Sequence, residues 1–103
     1  MAETKAGLAL QGIRVVEFGD GIATAYCGAL LAAGGAEIIK LEPLGLGDTV
    51  RTLPPLVTGV AETEASGMHA FLNAGKRSVE LDLSQPEAAK TAMQLAAKAD
   101  VLL

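Results

Sequence analysis

The chain has 103 residues, a net charge of −4 and half of its residues hydrophobic, with two Phe, one Tyr and no Trp. That length bounds it to one small domain with a core of Ala, Leu and Val, and small side chains of this kind must pack closely. The acidic balance argues against general nucleic-acid binding, which needs clustered cations, and a single cysteine excludes an internal disulfide and any Cys-rich metal site.

Taken in chain order, Glu3 and Lys5 are followed by no apolar run of the signal-peptide kind, so the cytoplasm is the expected location. Arg14 to Phe18 reads as a first strand. Gly19-Asp20-Gly21 then turns the chain into a helix from Ile22 to Ala33, with Gly34 and Gly35 supplying left-handed caps. No charge occurs between Asp20 and Glu37. A membrane-spanning helix needs roughly 20 apolar residues, however, and this run is shorter and carries Gly21, Gly28, Gly34 and Gly35. A buried helix, with no membrane association, is the expectation. In Gly19-x-Gly21 the third glycine of a dinucleotide fingerprint would fall at Thr24, where it is missing, so the Rossmann cofactor motif is incomplete.

A second strand runs from Glu37 to Leu41 and ends before Pro43. Residues 43 to 66 hold Pro43, Pro54 and Pro55 with Gly45, Gly47 and Gly59 and no steady period, which reads as a long loop; Asp48 is expected to cap or turn it, with Glu62 and Glu64 as solvated charge. A short helix follows at Gly67 to Leu72. Asn73-Ala74-Gly75-Lys76-Arg77 then places adjacent cations at a glycine turn. A third strand alternates Val79, Leu81 and Leu83 against Ser78, Glu80 and Asp82. Ser84-Gln85-Pro86-Glu87 matches a capping box, with Ser84 as N-cap, for a helix from Gln85 to Lys98 that presents Ala89, Ala92, Met93 and Ala96 on one face. Asp100 to Leu103 is a fourth strand. Its apolar ending leads us to expect an N-terminal piece of a longer protein.

Other candidate groups are read as structural: Cys27 as a small buried residue, His69 as a packing or surface residue with no second metal ligand, and Tyr26 as a packed ring with its hydroxyl at the surface. Glu17 and Glu42, at strand ends, are candidates for orienting a loop N–H.

Leu10 to Phe18, Ala23-Tyr26-Cys27-Gly28-Leu30-Leu31, Gly35 to Pro43, Gly47-Asp48, Arg51, Gly75-Lys76-Arg77-Ser78 and Ala99-Asp100-Val101, in that order and spacing, resemble the opening of the family III CoA-transferases. This CaiB/BaiF family includes formyl-CoA transferases, carnitine CoA-transferases and α-methylacyl-CoA racemases. The resemblance covers Leu10 to Leu103. It implies an α/β fold, an open, mainly parallel Rossmann-like sheet with flanking helices, of which residues 1–103 form the N-terminal part of the CoA-binding domain. It implies coenzyme A as acyl-CoA substrate, a carboxylic acid as second substrate, no metal, an interlocked homodimer, and a catalytic aspartate beyond residue 103. An acyl-CoA racemase shares this N-terminus and is the alternative; a protein complete at Leu103 would instead be a non-catalytic module binding CoA or another nucleotide.

By the same resemblance, Gly21, Ile22 and Ala23 contact the CoA and acyl end, while Leu81, Asp82, Leu83 and Ser84 lie along the nucleotide end. Ala23-Thr24-Ala25 stands where relatives often carry Ala-Gly-Pro, Pro43 where some have Arg, and Ser84 where some have Lys. Lys76 and Arg77 are the candidate phosphate-binding cations, since a diphosphate and a 3′-phosphate need cations and backbone N–H groups.

Overall fold

A computed structural model describes residues 7–103. Its elements are β1 (Arg14–Glu17), α1 (Ile22–Ala33), β2 (Glu37–Pro43), α2 (Gly67–Leu72), β3 (Arg77–Leu81), α3 (Pro86–Ala97) and β4 (Val101–Leu102), with 3₁₀ turns at Thr49–Thr52 and Glu62–Glu64 in the long connection after β2. The strands form one parallel sheet in the order β3-β2-β1-β4. The chain therefore steps outward from β1 to β3 and then returns to the far side of β1, the topology that opens a ligand crevice at the carboxyl ends of the strands. The expected α/β parallel sheet is the fold observed.

Alternation along the central strands divides the core. Val16, Ile39 and Leu41 face α3 through Ala92, with Val79, Leu81 and Leu95 packed beside them. Val15 and Ile38 face α1 with Ala36, against Leu31 and Ala32. A third cluster, Ala25, Val50 and Leu72, joins α1 to the first 3₁₀ turn and α2. Each large aliphatic side chain so buried contributes about 1.5–3 kcal/mol.

Several local expectations need correction. The capping box at Ser84 does not form: the Ser84 hydroxyl donates to Asp82 Oδ1 at 2.5 Å, Gln85 becomes the N-cap without a side-chain bond, and Pro86 starts the helix. An aspartate two residues back thus outcompetes the helix for the hydroxyl, while proline's fixed φ suits the first helical position. The buried stripe of α3 is Ala92 with half-buried Ala88, Leu95 and Ala96, whereas Ala89 is exposed and Met93 is 72% exposed. The helix has turned so that its one leucine, not its methionine, meets the sheet. β3 ends at Leu81, leaving Leu83 in an exposed turn, and β2 runs on through Pro43, paired with Leu81. At the end of α1 only Gly35 is left-handed, at φ 108°; Gly34 remains helical.

Nor is α1 buried all round. Ile22, Tyr26 and Leu30 form an exposed stripe four residues apart, and Cys27 is half-buried. The inner face carries Gly28 for a steric reason. A Cβ there would lie 2.1 Å from Glu17 Oε1 and 2.8 Å from Lys76 Nζ, so only glycine lets the helix settle onto those groups.

Replacing a mid-helix glycine by alanine ordinarily stabilises by about 0.5–1 kcal/mol. Here Gly28→Ala is expected to destabilise the complete protein by about 2 kcal/mol or more, because the contact is with buried charge that cannot move aside freely. Denaturant unfolding checks this, and a higher midpoint for the variant would contradict it.

Candidate functional site

Charged residues interrupt the apolar runs of β1 and β2 at Glu17, Lys40 and Glu42. All three side chains point to the α1 side of the sheet, and all are at most 3% exposed. Ions so deeply buried persist only when paired and hydrogen-bonded. Lys40 Nζ lies 2.5 Å from both Glu17 Oε2 and Asp48 Oδ2. Glu17 Oε1 in turn accepts from Lys76 Nζ at 2.9 Å, and that ammonium also donates to the Ala25 carbonyl and to Asn73 Oδ1, each at 2.8 Å. The result is a line of alternating charge, Asp48–Lys40–Glu17–Lys76, with two cations balancing two anions.

Burial opposes the charge of both ammonium groups. For Lys40 the hydrogen bonds and fields of two carboxylates outweigh it, and its pKa is raised. Lys76 has one carboxylate and two neutral acceptors, so burial prevails and its pKa falls below that of an ordinary lysine. Burial likewise disfavours ionised Asp48, yet Lys40 and the N–H groups of Val50 and Gly21 reverse that and hold its pKa down.

A second buried group flanks the line. Glu42 receives both arms of Arg51, with Nε to Oε2 at 2.7 Å and Nη2 to Oε1 at 2.8 Å, together with the Ser78 hydroxyl and the Asp48 N–H. Desolvation alone would push its pKa up, but Arg51, Ser78 and that N–H bring it to about 2. Arg51 Nη1 also donates to the Thr63 carbonyl, tying the far part of the long connection to β2.

The loops after β1 and β2 then clamp one another. Asp48 Oδ1 accepts from the N–H groups of Gly21 and Val50, while Asp20 accepts from the Thr49 N–H at 2.8 Å and its hydroxyl at 3.0 Å. Beside this double clamp, at the carboxyl ends of β1, β2 and β3, lies a cavity of about 380 Å³. It is walled by Phe18, Gly19 and Asp20, by Leu41 to Leu44 with Asp48, and by Leu81, Asp82 and Leu83.

Of the residues singled out in the sequence, Leu81, Asp82 and Leu83 are brought together in this wall. Gly21, Ile22 and Ala23 follow Asp20 directly but do not line it, and Ser84 stands just outside, bonded to Asp82. Lys76 and Arg77 also lie outside. The Lys76 ammonium is enclosed under α1, and the Arg77 guanidinium, 77% exposed, reaches back toward Glu37 at the start of β2, the opposite end of the sheet. Asp48 does cap its loop as expected, and Glu42 does orient a loop N–H. His69 keeps a packing position in α2, its Nδ1 3.0 Å from Asn73 Nδ2. Burial, then Arg51, lowers its pKa.

Sequence reasoning missed the ion line. Its available signal was the placement of Lys40 and Glu42 at alternate positions within Ile38-Ile39-Lys40-Leu41-Glu42, where a central strand should carry apolar residues on both faces. Among the described residues no cluster of His, Cys, Asp and Glu is arranged to hold a metal, and no helix is long and apolar enough to cross a membrane.

Comparison with known proteins places this geometry. The family model described as CoA-transferase family III matches residues 10–103. The chain is 39% identical to succinyl-CoA:mesaconate CoA-transferase of Haloarcula hispanica, over 92% of this chain and 24% of that protein. It is 38% identical to succinate–glutarate CoA-transferase of Agrobacterium fabrum, over 91% of this chain and 24% of that protein. A crystal structure of a CaiB/BaiF family protein from Brucella suis superposes with a TM-score of 0.81 at 33% identity, covering 92% of this chain and 25% of that one. The chain thus spans about a quarter of the length of the relatives it matches.

Glu42 yields a pH prediction. Its folded pKa of about 2 lies below the reference value of 4.5. Its stabilisation is therefore complete above pH 4.5 and drains as the pH falls toward 2, by an amount on the order of 2 kcal/mol. Unfolding midpoints of the complete protein at pH 5.5 and pH 3 are expected to differ less in Glu42→Gln than in the unsubstituted protein. An equal difference in the two would show that Glu42 carries no such linkage.

Proposed function

The chain belongs to CoA-transferase family III, and on that footing we propose that it supplies part of a coenzyme A site in a protein that moves CoA between an acyl-CoA and a carboxylic acid. The observation carrying this reading is the cavity at the carboxyl ends of the strands, where open parallel sheets take ligands, with Leu81, Asp82 and Leu83 in its wall. The nucleotide end of CoA lies along these residues and Ser84, between flat apolar surfaces of Phe18, Pro43 and Leu83. Gly21, Ile22 and Ala23, at the start of α1, meet the thioester end.

Lys76 and Arg77 leave the ligand set in this reading. Lys76 acts as a brace inside the fold, and Arg77 serves the sheet edge. The chemistry itself takes place at an aspartate outside residues 1–103. Its carboxylate attacks the acyl-CoA carbonyl and releases CoA thiolate, leaving a mixed anhydride. The thiolate attacks the aspartyl carbonyl, freeing the donor acid and forming an aspartyl thioester. The acceptor carboxylate then displaces the thiolate to form a second mixed anhydride, and the thiolate attacks the acyl carbonyl of that anhydride, giving the new acyl-CoA and releasing the aspartate carboxylate. The proposed assembly is an interlocked homodimer whose site draws on both chains. Two relatives are named for succinyl-CoA or succinate with mesaconate or glutarate, so dicarboxylic acids and their CoA esters are the proposed substrate class.

The complete protein, given succinyl-CoA and ¹³C-labelled free mesaconate or glutarate, is expected to move label into the thioester pool. Deuterium uptake at the α-carbon of an acyl-CoA without label transfer would replace this reading by that of a racemase. Binding of CoA with neither reaction would leave a non-catalytic module. The cavity is tested separately: Leu83→Asp, at an exposed position, is expected to raise KM for the CoA ester about tenfold with the unfolding midpoint unchanged. An unaltered KM would remove the cavity from the site.

A further inference from the structure

The Gly19-Asp20-Gly21 turn puts two glycines immediately before α1, and Gly21 sits at φ 94°, a conformation that side chains rarely adopt. Glycine accepts that conformation but does not select it, because it populates many others as readily. α1 supplies nothing of its own to fix its start: Gly21 is the N-cap, without a side-chain bond, and the first turn has no acidic residue. Farther along, packing sets the helix, with Ala25 against Val50 and Leu72. The turn itself is set from the loop after β2.

The two loops hold one another reciprocally. The Asp20 carboxylate accepts from the N–H and hydroxyl of Thr49, the residue after Asp48. The Asp48 carboxylate accepts from the N–H of Gly21, the residue after Asp20. Each aspartate thus closes on the residue that follows the other. Asp48 is anchored by the Val50 N–H and by Lys40, in the buried charge line. Asp20 is the exposed half of the clasp, so replacing it removes no buried charge.

We propose that Asp20 is a positioning residue for acyl transfer: through Thr49 it fixes the Gly21-Ile22-Ala23 turn that meets the thioester end. This rests on the CoA-transfer reading above and adds a residue that sets the geometry of its reacting end. A reacting group misplaced by about 1 Å loses roughly a hundredfold in rate. Most of the surface of a CoA ester lies away from its carbonyl, so loosening this turn lowers kcat rather than raising KM.

The complete protein, assayed for transfer from succinyl-CoA to glutarate, tests this. Asp20→Ala is expected to lower kcat about tenfold or more, with KM for succinyl-CoA raised by no more than about threefold. Asp20→Asn keeps an acceptor for the Thr49 N–H and a donor for its hydroxyl, and its kcat is expected to stay within about twofold of the unsubstituted value. Asp20 also lines the cavity whereas Thr49 stands outside that wall, so Thr49→Val separates positioning from direct contact with the substrate. That variant is expected to lower kcat about threefold in the unsubstituted protein and to have no further effect in Asp20→Ala. An unchanged kcat in Asp20→Ala, a loss confined to KM, or losses that multiply in the double variant overturn the proposal. A lower unfolding midpoint with kcat intact would make the clasp structural alone and overturns it too. If Asp20→Ala does not fold, Thr49→Val decides, since it keeps every backbone bond, and an unaltered kcat there overturns the proposal. Absence of transfer by the unsubstituted protein would overturn the CoA-transfer reading itself, whereas transfer indifferent to these substitutions overturns this inference alone.

Discussion

The line of four buried charges from Asp48 through Lys40 and Glu17 to Lys76 is the interaction on which the rest of this structure depends. It occupies the α1 side of the sheet where aliphatic side chains would otherwise sit, and it joins three segments far apart in sequence: the end of β1, the loop after β2 and the turn before β3. Removing one member leaves its neighbour charged and dry, at a cost of about 3–5 kcal/mol. Two consequences follow from its position. Gly28 must be glycine for α1 to close over it, and Asp48 is held where its other oxygen can bind the Gly21 and Val50 N–H groups. The line thus reaches from the helix interior to the edge of the cavity.

That arrangement separates residues which adjacent numbering would group together. Lys76 and Arg77 are consecutive cations, but a strand sends neighbouring side chains to opposite sides. Lys76 enters the interior under α1, while Arg77 stays in solvent near Glu37. Glu42 and Asp48 line the cavity, yet each is committed to a cation of the fold. The rest of the cavity wall is apolar apart from Asp20 and Asp82, two carboxylates held by neutral donors.

The sequence made the architecture legible because β1, α1 and β2 are largely apolar segments of strand and helix length and glycine marks their junctions. Leu81, Asp82 and Leu83, named through the resemblance that the order and spacing of short motifs carries, fall in the wall of the cavity. Other features were hidden for definable reasons. Ser84 sits at capping-box spacing, but Asp82 lies two residues away and competes for the same hydroxyl, a contest that spacing alone does not decide. On α3 Ala92 and Ala96 lie inward as the period suggests, but only contact with the sheet chooses Ala88 and Leu95 over Ala89 and Met93 beside them. The partner of Lys76 lies 59 residues away, so no local pattern announces it. Lys40 and Glu42, charged residues inside an otherwise apolar central strand, were the one trace of it.

The charge line couples the turn before β3 to the loops at the cavity. Amide hydrogen exchange in the complete protein carrying Lys76→Met tests this most directly. The N–H groups of Asp48 and Val50 bond to Glu42 and Asp48 carboxylates in buried positions and do not touch Lys76. Both are expected to lose protection when Lys76 is replaced, while the amides of β1 and β2 keep theirs. Unchanged protection at Asp48 and Val50 would contradict it, and would reduce the line to separate ion pairs with no hold on the site.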